Sequence, residues 1–234
     1  MKFSIDSAMI DMFPKVKIGV LVVRNIDNSK GQIFSALFRK AERDIREKYQ
    51  LEELATVPKI ADWREAYRKF GFKPSLNRSS IEALMRRILQ GKEVPSINPI
   101  VDAYNLVSII SLLPAGGDDI DQTDGDITLT MADGTEHFIM LGSDKSEEIK
   151  KGEVIYRDEK EVLCRSWNYR ECDKSKITKD TKNVCLVLEG LEHTSEEEIL
   201  EALAKLRELL TPFCTGTFQE FYLHKGNLAA VFSS

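Results

Sequence analysis

Hydrophobic and polar positions divide the chain into stretches of two periods. Residues 15–24 (KVKIGVLVVR) are a nearly unbroken β-branched run, which predicts a buried strand. From about Gln32 to position 48, Ile33, Leu37, Phe38, Ala41 and Ile45 recur at helical spacing. Pro58 precedes a short helix expected over 62–70 and ended by Gly71. Ser79 followed three residues later by Glu82 is a capping-box signature, and Ile81, Leu84, Met85, Ile88 and Leu89 form one apolar stripe before Gly91. Arg86 and Arg87 project away from that stripe. From Ile127 the period changes to two. ITLTMA-DG-TEHFIML predicts a hairpin with a primed turn at Asp133-Gly134, and GEVIYRDEKEVLCRSW predicts a second one turning at 158–160. KNVCLVLE (182–189) reads as another buried strand. Ser195 and Glu198 make a second capping box, opening a helix with Ile199, Leu200, Leu203, Leu206 and Leu210. TFQEFYL-HKGN-LAAVF predicts a closing hairpin. Helices and hairpins segregate instead of alternating, so the expected class is α+β. Residues 16–48 and 184–210 share a strand-then-helix plan and are expected as neighbours in one sheet layer. No low-complexity linker interrupts the chain, which predicts one unit over 1–234.

Residues 97–127 (INPIVDAYNLVSIISLLPAGGDDIDQTDGDI) depart from both patterns. Asn98-Pro99 places a capping residue before proline at the first helical position. The helix that follows is apolar nearly all round, through Ile100, Val101, Ala103, Tyr104, Leu106, Val107, Ile109 and Ile110, and belongs inside its domain. Asp102 and Asn105 share one face of it. Past Pro114, a Gly116-Gly117 turn is expected to bring bare backbone N–H groups beside whatever it touches. Buried polar groups need partners, and a pocket is expected here.

Of the 234 residues, 42% are hydrophobic and 30% charged, with net charge −5. A substantial core is affordable at this length. No apolar run approaches the roughly 20 residues of a membrane helix. The opening MKFSIDSAMIDMF lacks the apolar stretch of a signal peptide, so the expected location is cytoplasmic and no membrane partner is expected. Cys164, Cys172, Cys185 and Cys214 show no C-x-x-C spacing and His137, His193 and His224 stand apart, so no metal site is expected. The aspartates at 118, 119, 121, 124 and 126 fail the calcium-loop pattern, which needs glycine sixth and glutamate twelfth. Phosphate-loop, dinucleotide and nucleophile-elbow motifs are missing, and no cofactor is expected. The net charge argues against wholesale nucleic-acid coating. Between 62 and 92, however, Arg64, Arg68, Lys69, Lys73, Arg78, Arg86, Arg87 and Lys92 face only Asp62, Glu65 and Glu82. This face is either a solvated helix surface or a phosphate-contacting one.

Six segments resemble the B3/B4 domain, the editing domain of the bacterial phenylalanyl-tRNA synthetase β subunit, and more closely the free-standing proteins built of little else. They are WREAYRKFGFKPS (63–75), RSSIEALMRRIL (78–89), INPIVDAYNLVS (97–108), LPAGGDDIDQTDGDI (113–127), GEVIYRD (152–158) and CRSWNYREC (164–172). They span roughly 60–185, with segments 15–50 and 182–234 expected to complete the fold. The same superfamily includes the C-terminal domain of lysidine synthetase. The resemblance implies mixed sheets and packed helices around a central pocket that holds the aminoacyl end of mischarged tRNA while water hydrolyses the ester. Asn98, Asp102 and Asn105 would line one wall. Gly116 stands where the synthetase turn typically carries a histidine, and a glutamate that reads a tyrosine hydroxyl falls at Glu171 or Cys172. The class II motifs for ATP are absent, so ligation of amino acid to tRNA is not expected.

Two functions follow. The first is a free-standing aminoacyl-tRNA deacylase, with tRNA as partner and a synthetase as a further candidate. Gly116 and Gly117 amides would hold the developing oxyanion. Asn105 and Asn168 would bind ammonium or carbonyl, and Glu171 a hydroxyl or ammonium. Trp167 and Tyr169 would stack on side chain or adenine, and Arg165 would join them. The basic residues Arg64, Arg68, Lys69, Lys73, Arg78, Arg86 and Arg87 would meet phosphates. The second is a non-catalytic module binding an amino acid, small metabolite, RNA or protein. The absent histidine and the acidic charge point toward it.

Overall fold

The computed structural model describes residues 1–29 and 33–232. In chain order the first half comprises β1 (Lys2–Ile5), α1 (Ser7–Met12), β2 (Lys17–Val23), α2 (Ser35–Lys48), α3 (Pro58–Lys69), α4 (Ser80–Leu89) and α5 (Pro99–Ser111). Then come β3 (Ala115–Asp119), β4 (Ile127–Met131), β5 (His137–Ile139), β6 (Ser146–Glu148), β7 (Val154–Arg157), β8 (Val162–Arg165) and β9 (Arg170–Glu171). The chain continues with β10 (Val184–Gly190), α6 (Glu196–Leu210), β11 (Phe218–Leu223) and β12 (Ala229–Val231). The class is α+β. No helix among the described residues is long and apolar enough to cross a membrane.

β2 and β10 send apolar side chains to both faces and are buried along nearly their whole lengths, as strands covered on both sides must be. They pair antiparallel, Lys17 opposite Gly190 and Val23 opposite Val184, in the middle of a four-stranded sheet ordered β11-β2-β10-β3. One face of this sheet packs under α6. A Cβ on Gly19 would lie 2.8 Å from side-chain atoms of both Ile199 and Leu203, so only glycine lets the helix seat so closely. The other face looks onto a six-stranded sheet ordered β12-β1-β4-β7-β8-β9. Register puts Ile5, Leu129, Tyr156, Cys164 and Glu171 in one row across that sheet. Phe3, two residues from Ile5, joins them because strand side chains alternate. The row faces the four-stranded sheet, and the Tyr156 hydroxyl donates to Glu189 of β10 at 2.5 Å.

Several local expectations give way to long-range pairing. β4 does not form a hairpin with β5. It pairs with β1 and β7, while β5 pairs with β6. The 133–135 turn is held by Thr135 N and Oγ donating to Asp133, and only Gly134 has positive φ there, whereas the predicted primed turn needs two such residues. β11 and β12 likewise leave the His224–Asn227 bridge for different sheets. α3 starts at Pro58, not 62, with the proline inside its first turn, where its missing N–H is harmless. For α2, the expected first residue Gln32 lies outside the described residues. Ser79 caps α4 through the Glu82 amide at 3.4 Å, but the Glu82 carboxylate turns away to arginines, so half the box forms. Ser195 and Glu198 complete both halves, at 3.2 and 2.8 Å.

Asn98 caps α5 by accepting from Val101 N at 3.0 Å and donates to the Ile177 carbonyl at 3.2 Å. Asn98→Ala is expected to lower stability by about 1–2 kcal/mol. An unchanged urea midpoint would show that the cap contributes nothing.

Candidate functional site

The segment joining β8 to β9 sets the geometry of the interior. Ser166 and Trp167 both have left-handed backbones, φ 48° and 66°, a conformation that costs a non-glycine residue roughly 1–2 kcal/mol. Buried Glu153 holds it in place by accepting from Ser166 N (2.9 Å), Ser166 Oγ (2.7 Å) and the Arg165 guanidinium (3.1 Å to each oxygen). Trp167 N adds a bond to the Val154 carbonyl at 2.7 Å. The turn drives Trp167 and Asn168 inward onto a second buried carboxylate, Glu189. Trp167 Nε1 donates at 2.7 Å to the same oxygen that receives Tyr156, and Asn168 Nδ2 donates at 2.8 Å to the other. Tyr67 of α3 donates to Asn168 Oδ1 at 3.1 Å. Three donors stabilise the Glu189 anion, yet burial outweighs them and pushes its carboxyl up to about 6.

Two further carboxyls share this cavity, whose lining includes Gly116, Asp118, Cys164, Glu171 and Glu189. Asp118 receives the Ser175 hydroxyl at 2.5 Å. Burial, together with the charges of Asp158 and Asp119, pushes it up to about 6. Burial and the Asp118 charge hold Glu171 well above the usual carboxylate range. Among the described residues lining the cavity, none is Lys, Arg or His, so no cation in the lining offsets these carboxyls. The free volume is about 20 Å³, room for about one water. Asp118, Glu171, Gly116 and Gly117 are only half-buried, so the cavity opens between the edge strands β3 and β9. On α5, burial first and then the charges of Glu171 and Asp118 push the pKa of Tyr104 up.

The structure therefore brings together Gly116, Gly117, Trp167, Asn168 and Glu171, and sends other expected site residues elsewhere. Gly116-Gly117 is not a turn but part of β3, opposite Val187 and Leu186. Bonds from Glu189 N to the Pro114 carbonyl and from Ile120 N to the Asn183 carbonyl fix the ladder phase. Gly116 N–H then points to the Val187 carbonyl and Gly117 N–H to the opposite, free edge. Successive strand amides diverge, so the expected two-amide nest does not form. A Cβ at Gly116 would lie 3.0 Å from Glu171 Oε1, which explains a bare residue at the mouth.

Asn98 is used in capping, and Asp102 holds the approach to α5 by accepting from Ser96 Oγ (2.5 Å) and Ile97 N (2.7 Å). Neither lines the cavity, nor does half-buried Asn105. Trp167 is fully buried, edge-on to Phe13 and Trp63 at 4.8 and 4.9 Å, and has no face free for a ligand. Arg165 and Tyr169 lie on the outer side of β8–β9. Arg165 is bound to Glu153 and Glu147.

Of the basic face, Arg64 and Arg86 both donate at 2.8 Å to Glu82, itself buried, and tie α3 to α4 instead of reaching outward. Arg68 pairs with Glu65, Lys69 lies over the Phe13 ring, and Arg78 and Arg87 donate to the Ser75 and Glu93 carbonyls. Lys73 opens onto a groove described below.

Sequence reasoning missed Glu189, Asp118, Tyr156 and Cys164. The available signal was Glu189 itself, an ionisable residue ending the apolar run KNVCLVLE, because a charge in a buried strand must have partners.

A family model described as the B3/4 domain matches residues 62–214. No curated protein matches. Among solved structures, an N-terminal fragment of the phenylalanyl-tRNA synthetase β-subunit from Pyrococcus horikoshii is similar at 14% identity, covering 94% of this chain and 53% of that one, with a TM-score of 0.46. The chain thus spans about half the length of that fragment.

Proposed function

The chain belongs to the B3/4 domain family, and from that premise we propose that it is a tRNA-associated, editing-type protein that hydrolyses the aminoacyl ester of mischarged tRNA in trans. The observation that carries this reading is the convergence of Asp118, Glu171 and Glu189 on a water-sized cavity with a half-open mouth. A carboxylate cluster without cations suits the α-ammonium of an aminoacyl ester. A buried carboxyl held above the usual carboxylate range suits general-base catalysis.

In this reading the bound α-ammonium favours the ionised form of Glu171, which takes a proton from a cavity water as the water oxygen attacks the ester carbonyl. The acyl C–O bond then breaks, the ribose oxygen takes that proton back from Glu171, and free amino acid and tRNA result. Gly117 N–H, on the free edge of β3, would supply a backbone donor to the oxyanion. The amino-acid side chain, too large for the cavity, stays at the half-open mouth.

A second reading, non-catalytic capture of a free amino acid or small amine, draws on two observations: the Gly116 amide is used in the ladder, and the cavity holds about one water. Deacylation assays over a panel of mischarged tRNAs separate the two. The editing reading expects a rate above buffer for at least one pair, and a loss of about tenfold or more in Glu171→Gln. Rates equal to buffer for every pair leave only the binding module.

A further inference from the structure

On the outer face of β8 and β9 lies an open groove of about 600 Å³, lined among others by Phe72, Lys73, Lys150, Tyr169 and Arg170. Register explains why it is separate from the cavity. Cys164 opposite Glu171 faces inward, so Arg165 opposite Arg170 faces outward. We propose that this groove, and not the α3–α4 face, binds a single strand of RNA; the choice of RNA rests on the tRNA-associated reading above.

Charge comes first. Arg165 and Glu147 also line the groove, and the one guanidinium is shared by Glu147 and buried Glu153, which leaves one carboxylate charge in excess. Among the described residues Lys73, Lys150 and Arg170 make no ion pair with a carboxylate, so three cations outnumber that one excess carboxylate in a chain of net charge −5. A local field of that sign draws an anion to this place. The rings decide which anion. The Arg170 guanidinium lies 4.6 Å from the Tyr169 ring centroid and donates to its hydroxyl at 3.3 Å. The Lys150 ammonium lies 5.8 Å from the Phe72 ring. The half-exposed Tyr169 and Phe72 rings and the exposed Arg170 guanidinium plane offer flat surfaces to a base, and alternating cations with rings match alternating phosphates with bases. An acidic peptide would use the cations and leave the rings idle.

The test is fluorescence anisotropy of the full chain with a labelled oligo-adenosine RNA carrying no amino acid, titrated with salt. Tyr169→Ala should weaken binding by about tenfold, the loss of one stacked base. Lys73→Glu combined with Arg170→Glu should reduce the log–log salt slope by about 1.4, roughly 0.7 for each phosphate contact to a single strand. Lys205→Glu, on exposed α6 and paired with Glu208, should bind as wild type. Three results overturn the proposal: Tyr169→Ala binding as tightly as wild type, poly-glutamate competing as well as RNA, or Arg68→Glu with Arg87→Glu abolishing binding that the groove variants retain. The probe has no ester, so a chain that binds it but deacylates nothing refutes the hydrolytic role of the cavity and leaves the groove standing.

Discussion

Glu189→Ala is expected to destabilise the fold by about 3–5 kcal/mol, the range for removing one partner from a buried charged network. The carboxylate is the shared acceptor for Tyr156, Trp167 and Asn168, which belong to β7 and the strained turn after β8. All three donors are buried, so none can turn to water when the acceptor goes. Glu189→Gln should be milder. Its Oε1 still accepts from Tyr156 and Trp167, and Asn168 can exchange its amide ends so that its oxygen receives the new donor while the Tyr67 hydroxyl accepts from its nitrogen. Urea melts of the three proteins read the order directly. A midpoint for Glu189→Ala equal to that of the glutamine variant would remove Glu189 as the hub of the interior.

The second large effect is a fall in stability as pH rises from about 4.5 to 7. Glu189 moves from 4.5 to about 6 on folding, and Asp118 from 3.8 to about 6. In that window the folded chain holds more protons than the unfolded one, so unfolding free energy decreases with pH. The contribution is complete below the unfolded values and is lost through about 6. Glu189 alone accounts for about 2 kcal/mol at roughly 1.4 kcal/mol per pKa unit, and half-buried Asp118 adds to it with more solvent screening. Asp158 works the other way at lower pH: burial is outweighed there by the Asp124 amide and the Lys174 ammonium, and its carboxyl is held low. Urea midpoints should therefore be higher at pH 5 than at pH 7.5 in wild type, with a smaller difference in Glu189→Gln. A wild-type midpoint flat or rising between those pH values would contradict the raised carboxyls.

Patterns that depend on neighbours in sequence were legible before any coordinates. The apolar runs of β2 and β10, the Asn98-Pro99 start of α5 and the Ser195–Glu198 box are local chemistry, and each forms. Partners chosen at long range were not legible. Nothing in ITLTM says that β4 prefers β1 and β7 to the strand just after it, because register is set by the faces to be buried. The same limit applies to Asn105, which lies on a mostly apolar helix and yet does not line the cavity, because only packing decides which helix residues meet it. The resemblance pointed to this region but assigned a turn to residues that form an edge strand. It also drew attention to Glu171 while Glu189, some twenty positions later, holds the interior together.

The parting of β11 and β12 into two sheets bears on how the chain assembles. The Met1 amine bonds the Phe232 carbonyl, 231 positions away, and β11 covers an edge of β2. Contacts that close such long loops are entropically late, which slows folding. Until residues 218–231 dock, β1 and β2 each offer a bare edge to other half-made chains, and self-association at those edges competes with completion of the fold.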